Sequence, residues 1–197
     1  MVSRSAGCYH VGMQQHRVCP WWLGHLLASP LRGLFENPKE IVGRHVGEGM
    51  TVLEPGPGMG FFTLPLARLV GPTGRVVAVE VQPRMLAGLK KRLAKAGLLE
   101  RVDARLVSPE SMGVSDLAGE VDCALALAVV HEMPSAKNFF VETAGALKKG
   151  GRLLLAEPAG HVTLADFDEE LNLAGEAGLR LIEQPAIRSS RAALLVK

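Results

Sequence analysis

The sequence predicts a three-layer α/β sandwich: a mainly parallel seven-stranded sheet with an antiparallel last strand and helices on both faces. Three observations carry this expectation. From Met50 onward, short apolar runs alternate with segments of helical spacing, the order of a parallel sheet linked by crossover helices. The run Val121 to Val130 is continuously apolar, as suits a strand buried on both faces. The last two apolar runs, Leu179 to Gln184 and Ala192 to Val196, are joined by too few residues for a crossover helix, so they must pair antiparallel.

Each element has its own local reason. Asn37-Pro38-Lys39-Glu40 reads as a helix start, with Asn37 as cap and Pro38 in the first turn, the helix running to about Val46. Met50 to Glu54 is a short strand that leads into a glycine-rich turn. Phe61 to Val70 is helical, with Pro65 early enough to be tolerated. Gly71-Pro72-Thr73-Gly74 is a turn, and the valine-rich Arg75 to Val81 is the second strand. Pro83 to Ala96 places Met85, Leu86, Leu89 and Leu93 on one helical face, and Gly97 ends it. Val102 to Val107 is the third strand. After the apolar fourth strand, Ala136 to Leu147 is a helix stopped by Gly150-Gly151. Arg152 to Ala156 is the fifth strand, and Leu164 to Ala177 is a helix ended by Gly178.

Length and charge narrow the functional classes. A chain of 197 residues suits one domain. We divide it into an N-terminal arm or lid, 1–36, and a domain, 37–197. The net charge of +2 gives no general pull toward nucleic acid or membrane. Lys90, Lys91, Arg92 and Lys95 form a basic helix face that reads as solvated. No run of 18 apolar residues and no signal-peptide pattern occurs, so the expected location is the cytoplasm. Three cysteines, Cys8, Cys19 and Cys123, do not make a disulfide framework. The arm carries Cys8, His10, His16 and Cys19, which are zinc-ligand types in a spacing that matches no standard finger, and no metal is expected. Trp21, Trp22, Leu23, Leu26 and Leu27 either roof a pocket or cover the sheet.

The stretch that carries chemistry is Val52-Leu53-Glu54-Pro55-Gly56-Pro57-Gly58-Met59-Gly60. Glycines let a backbone turn tightly and approach a ligand, because no Cβ intrudes. The competing dinucleotide fingerprint, Gly-x-Gly-x-x-Gly, needs a glycine at 61, where Phe61 stands, and an acid before the turn repels a pyrophosphate. This stretch resembles the nucleotide-binding loop of the class I S-adenosylmethionine (SAM)-dependent methyltransferases, a Rossmann-like fold. The resemblance is good from Asn37 to about Pro158.

The resemblance implies SAM as cofactor and S-adenosylhomocysteine as product. Glu54 then helps hold the methionine amino end, with Gly56, Pro57, Gly58 and Gly60 forming the turn. Glu80, at the end of the second strand, accepts from the ribose hydroxyls, and Val81 and Met85 lie beside the adenine. Many relatives place Asp where Ser108 falls, so Ser108, Pro109 and Glu110 take the adenine side, with Ser108 or Glu110 as the hydrogen-bonding residue. Leu127 belongs to the segment that closes the pocket near the sulfonium, Leu127 to Pro134. That segment lacks the Asn/Asp-Pro-Pro-Tyr or Phe motif of amino-methylating DNA and glutamine methyltransferases.

His131 is the candidate base, since histidine titrates near neutral pH, or else a histidine that packs beside Met133-Pro134. Glu132 is its orienting or structural partner. Cys19 and Cys123 are either arsenic-handling thiols or, for Cys123, core. The expected acceptor is a small molecule. The alternatives are a protein or RNA acceptor, or a non-catalytic SAM-binding sensor or partner subunit. Acceptor pockets in this fold are built from variable loops, so neither the acceptor nor an oligomeric state is legible in the motifs.

Overall fold

The computed structural model describes residues 37–197, and the expectations placed on the arm lie outside them, including its Cys8, His10, His16 and Cys19. In chain order the elements are α1 (Pro38–Gly43), β1 (Thr51–Pro55), α2 (Thr63–Leu69), β2 (Arg75–Glu80), α3 (Pro83–Lys95) and β3 (Val102–Leu106). They continue with β4 (Val121–Leu127), α4 (Ala136–Ala146), β5 (Leu147–Pro158), α5 (Leu164–Glu176), β6 (Arg180–Glu183) and β7 (Ser190–Val196). The seven strands form one sheet in the order β3-β2-β1-β4-β5-β7-β6. Only β7 runs against the others, pairing antiparallel with both β5 and β6.

Strand registry explains the three layers. Leu53 stands opposite Val77 on one side and Ala124 on the other, Ala124 opposite Leu153, and Leu153 opposite Leu195. This row faces Phe139, Phe140 and Phe167 of α4 and α5. The neighbouring residues of the same strands, Val52, Val76, Leu125, Leu154 and Leu194, point the other way, onto Val42, Leu66, Leu89 and Leu93 of α1, α2 and α3. Side chains alternate across a strand, so the inner strands β1, β2, β4, β5 and β7 supply both cores and are largely apolar, whereas the edge strands β3 and β6 carry charged, exposed residues.

Helix starts follow the expected capping chemistry. Oδ1 of Asn37 accepts from the Lys39 N–H, and Pro38 and Pro83 stand at first helical positions, where the missing N–H costs nothing. Pro65 sits third in α2, still among the positions whose N–H has no intrahelical acceptor. Thr163 and Asp166 close a reciprocal capping box on α5. Among the described residues no helix is long and apolar enough to cross a membrane.

Some boundaries differ from expectation. Helix α1 ends at Gly43 rather than near Val46, and β5 begins at Leu147, so Gly150 and Gly151 lie inside a strand. The fourth strand stops at Leu127 and does not continue to Val130. Ala128 adopts φ 57°, a left-handed conformation that costs an L-residue about 1–2 kcal/mol, and a 3-10 turn follows over Val130–Glu132. Apolarity alone does not reveal that break; its effect is to turn the chain across the carboxyl end of the sheet.

Candidate functional site

The carboxyl ends of β1 through β5 open onto a cavity of about 480 Å3, a size usual for a small-molecule site. It lies where the strand order reverses, between β1 and β4, as ligand sites do in open parallel sheets. The cavity is lined by Glu54, Gly56, Pro57, Gly58, Glu80, Val81, Met85, Ser108, Pro109, Glu110, Leu127, His131 and Glu132. Gly60, expected with them, does not line it.

The three glycines of the turn have different physical reasons. All carry positive φ. A Cβ on Gly60 would lie 2.6 Å from Leu89 Cδ1 and 2.8 Å from Leu64 Cδ1, so Gly60 lets the turn close onto the helices beneath. A Cβ on Gly56 would lie 2.5 Å from Val129 Cγ2, so Gly56 lets the β1 turn meet the loop after β4. Only Gly58 has open space around that position, on the cavity side.

Two carboxylates anchor this half. Glu80 is 5% exposed; its Oε2 accepts from the Gly58 N–H at 3.1 Å and its Oε1 from the Gln82 N–H at 2.9 Å. Burial holds its carboxyl above the usual range against those two donors. Glu54 is 4% exposed, and its Oε2 has no hydrogen-bond partner. Burial pushes Glu54 up to about 7, the nearby Thr63 side chain opposing and the charge on Glu80 adding to the rise. A buried acceptor left open beside a cavity is expensive unless a donor arrives.

The other half contains a pair that sequence reasoning missed. His131 Nδ1 is hydrogen-bonded to Oε2 of Glu157, at the end of β5. Glu157 is fully buried, and its Oε1 accepts from the N–H groups of Val129, at 3.1 Å, and Val130, at 2.9 Å. The hydrogen bond to Glu157 raises the His131 pKa, burial opposing and the charges of Glu157, Glu132 and Glu170 adding to it. Glu170, on α5, is itself pushed up to about 8 by burial and by the charge of Glu157. The signal for Glu157 was present: β1 and β5 both end in Glu-Pro and β2 ends in Glu. His161, Phe139 and Asn138 also line the cavity without having been expected.

The electrostatics are one-sided. Among the described residues lining the cavity are five glutamates, Glu54, Glu80, Glu110, Glu132 and Glu142, and no lysine or arginine. Such a site favours a cation and disfavours phosphate. The Gly58 N–H, which a dinucleotide turn would aim at a pyrophosphate, is already given to Glu80. Cys123 lies within β4, 1% exposed and away from the cavity lining, and burial pushes its thiol up to about 12. That is a core cysteine and not an arsenic-handling thiol. Among the described residues no group of three or more His, Cys, Asp or Glu is placed to hold a metal ion.

Comparison with known proteins identifies relatives of the sequence and of the fold. The arsenite methyltransferase of Halobacterium salinarum is 31% identical over 137 residues, 70% of this chain and 33% of that protein. The ubiquinone/menaquinone biosynthesis C-methyltransferase UbiE of Klebsiella pneumoniae is 30% identical over 112 residues, 57% of this chain and 44% of that protein. The chain thus spans a third to under half the length of these curated relatives. A SAM-dependent methyltransferase from Aquifex aeolicus shares the fold with a TM-score of 0.79 at 22% identity, over 91% of this chain and 100% of that one. Residues 47–184 match the family model of the methyltransferase domain, and the chain belongs to that family.

Proposed function

We propose that this chain binds SAM across the carboxyl ends of β1, β2 and β3 and transfers its methyl group to a small-molecule acceptor. The observation that carries the reading is the open, buried Oε2 of Glu54 beside the Gly58–Glu80 pair. The orphaned carboxylate suits the cationic amino end of the ligand. Glu80, its carboxylate fixed by two backbone N–H groups, suits the two hydroxyls of a ribose. Val81, Met85, Pro109 and Ser108 offer an apolar slot with a hydroxyl at its rim for a planar base, and Gly58 gives the ligand a close approach.

When bound, SAM supplies a methyl group already activated by positively charged sulfur. The protein's task is to align the acceptor, exclude water and, where the acceptor must ionise, take a proton. The curated relatives named above include an arsenite and a ubiquinone/menaquinone methyltransferase, which supports a small-molecule acceptor here. Among the described residues the cavity is lined by glutamates without lysine or arginine, which argues the same way, against a nucleic-acid acceptor.

Calorimetric titration of the purified chain with SAM, S-adenosylhomocysteine and NAD tests the reading. Micromolar binding of the first two and none of NAD is the expected result. Failure to bind SAM overturns it.

A further inference from the structure

We propose that Glu157 positions His131 as the proton acceptor of the reaction, and that the acceptor is an uncharged or cationic small molecule methylated on a phenolic hydroxyl. The inference rests on the methyltransferase reading above and names its substrate class.

Glu157 is held from three directions. Two backbone N–H groups fix Oε1, the strand fixes the backbone, and Oε2 is left to His131 Nδ1. In its neutral form the imidazole therefore carries its proton on Nδ1 and keeps a lone pair on Nε2, on a ring that lines the cavity. The groups facing the ring come from every neighbouring element. Glu132, on the same turn, has Oε1 4.0 Å from Nε2. Glu157 comes from β5 and Glu170 from α5. His161, in the loop after β5, packs edge-on with ring centroids 5.7 Å apart. The hydrogen bond to Glu157 and the charges of Glu157 and Glu132 favour the imidazolium, so the arrangement strengthens a base.

Acceptor chemistry then selects itself. A thiol ionises near pH 8.5 by itself and an arylamine attacks in its neutral form, so neither needs such a pair; an alkylamine, charged near neutral pH, must lose a proton as a phenol does, and only the aromatic walls of the cavity favour a hydroxyl borne on a ring over it. A phenol, with a pKa of about 10, lies a few units above a strengthened histidine, a gap a general base bridges; an aliphatic hydroxyl lies far beyond it. The glutamate-lined cavity repels an anionic acceptor, while Phe61, Phe62, Met133 and Phe139 offer walls for an aromatic ring. In the step the acceptor O–H bond breaks and its proton goes to His131 Nε2. The oxygen pair forms the new O–CH3 bond as the S–CH3 pair stays on sulfur. The proton leaves to solvent when the product departs.

The test uses the full chain with SAM and four probes of matched shape: phenol, thiophenol, aniline and 4-hydroxybenzoate. S-adenosylhomocysteine formation is followed, and SAM affinity is measured separately by calorimetry. Phenol is expected to be methylated, and 4-hydroxybenzoate at least tenfold more slowly. His131→Asn should lower kcat about 10²–10⁴-fold and abolish the rise of kcat with pH, with SAM affinity changed less than threefold. In the ligand-free protein, nitrogen NMR should show the Nδ1–H tautomer of His131, and Glu157→Gln should lower its pKa. Overturning results are thiophenol or aniline methylated while phenol is refused, a SAM-bound protein that methylates no phenol, an active His131→Asn protein, or an unmoved His131 titration in Glu157→Gln. Absence of SAM binding instead removes the underlying reading.

Discussion

Glu54 places a pH dependence inside the cofactor site. Its carboxyl titrates at about 7 in the folded, ligand-free chain against an ordinary 4.5, because it is buried with one oxygen unpartnered. A carboxyl whose folded pKa is raised opposes folding once it ionises. The loss begins above the unfolded value and is complete above the folded one, reaching about 3 kcal/mol. A cationic ligand needs the ionised form, so binding must expel the proton. Ionising Glu54 costs on the order of 1 kcal/mol at pH 6 and almost nothing at pH 8. SAM should therefore bind about tenfold more weakly at pH 6 than at pH 8, releasing about half a proton at pH 7. Calorimetry in two buffers of different ionisation heat reads both quantities. Glu54→Gln should remove the pH slope of affinity and the pH-dependent loss of apo stability, and should weaken SAM about 10- to 100-fold through the lost charged hydrogen bond. Equal affinity at pH 6 and pH 8 in the wild type, with no proton released, refutes the reasoning.

Other outcomes follow from the same geometry. Glu80→Ala should weaken SAM by about 1–3 kcal/mol, measured by calorimetry, through the lost ribose hydrogen bonds; an unchanged affinity means the cofactor lies elsewhere. Gly56→Ala drives a Cβ into Val129 at φ 65° and should cost about 2–4 kcal/mol of stability in chemical denaturation. Gly58→Ala, which meets nothing within 4 Å, should cost only about 1 kcal/mol yet lose SAM binding; the reverse ranking of stabilities contradicts the assignment of the two glycines. With Cys8→Ser and Cys19→Ser in place, Cys123 should resist a chromogenic thiol reagent until the protein is unfolded, because its thiol is both buried and pushed up to about 12. Prompt labelling of the native protein would contradict that.

The sheet was legible because its inner strands are apolar on both faces and its helices are bounded by capping residues such as Asn37, Pro38 and Pro83 at starts and by glycines such as Gly97 and Gly178 near ends. That Glu54, Gly56, Pro57, Gly58 and Glu80 line one cavity was legible for a similar reason: they fall in one contiguous turn and at the end of the next strand. The acceptor half was not. Glu157 lies 26 residues beyond His131, and only the pairing of β4 with β5 brings the ends of those strands together. The break at Ala128 is a backbone conformation that alanine rarely adopts, and a run of apolar residues hides it. Gly60 was read as part of the ligand turn, although its constraint comes from the leucines packed against it.

The contact between Gly56 and Val129 ties the two halves of the site together. Val129 also gives its N–H to Glu157, which orients His131. Val129 thus packs its side chain beside Gly56 and holds Glu157 through its backbone N–H, with little free space between the two. A shift of the β1 turn on SAM binding would have a short route to the imidazole, whose NMR resonances should then move when SAM binds and stay fixed in Gly58→Ala.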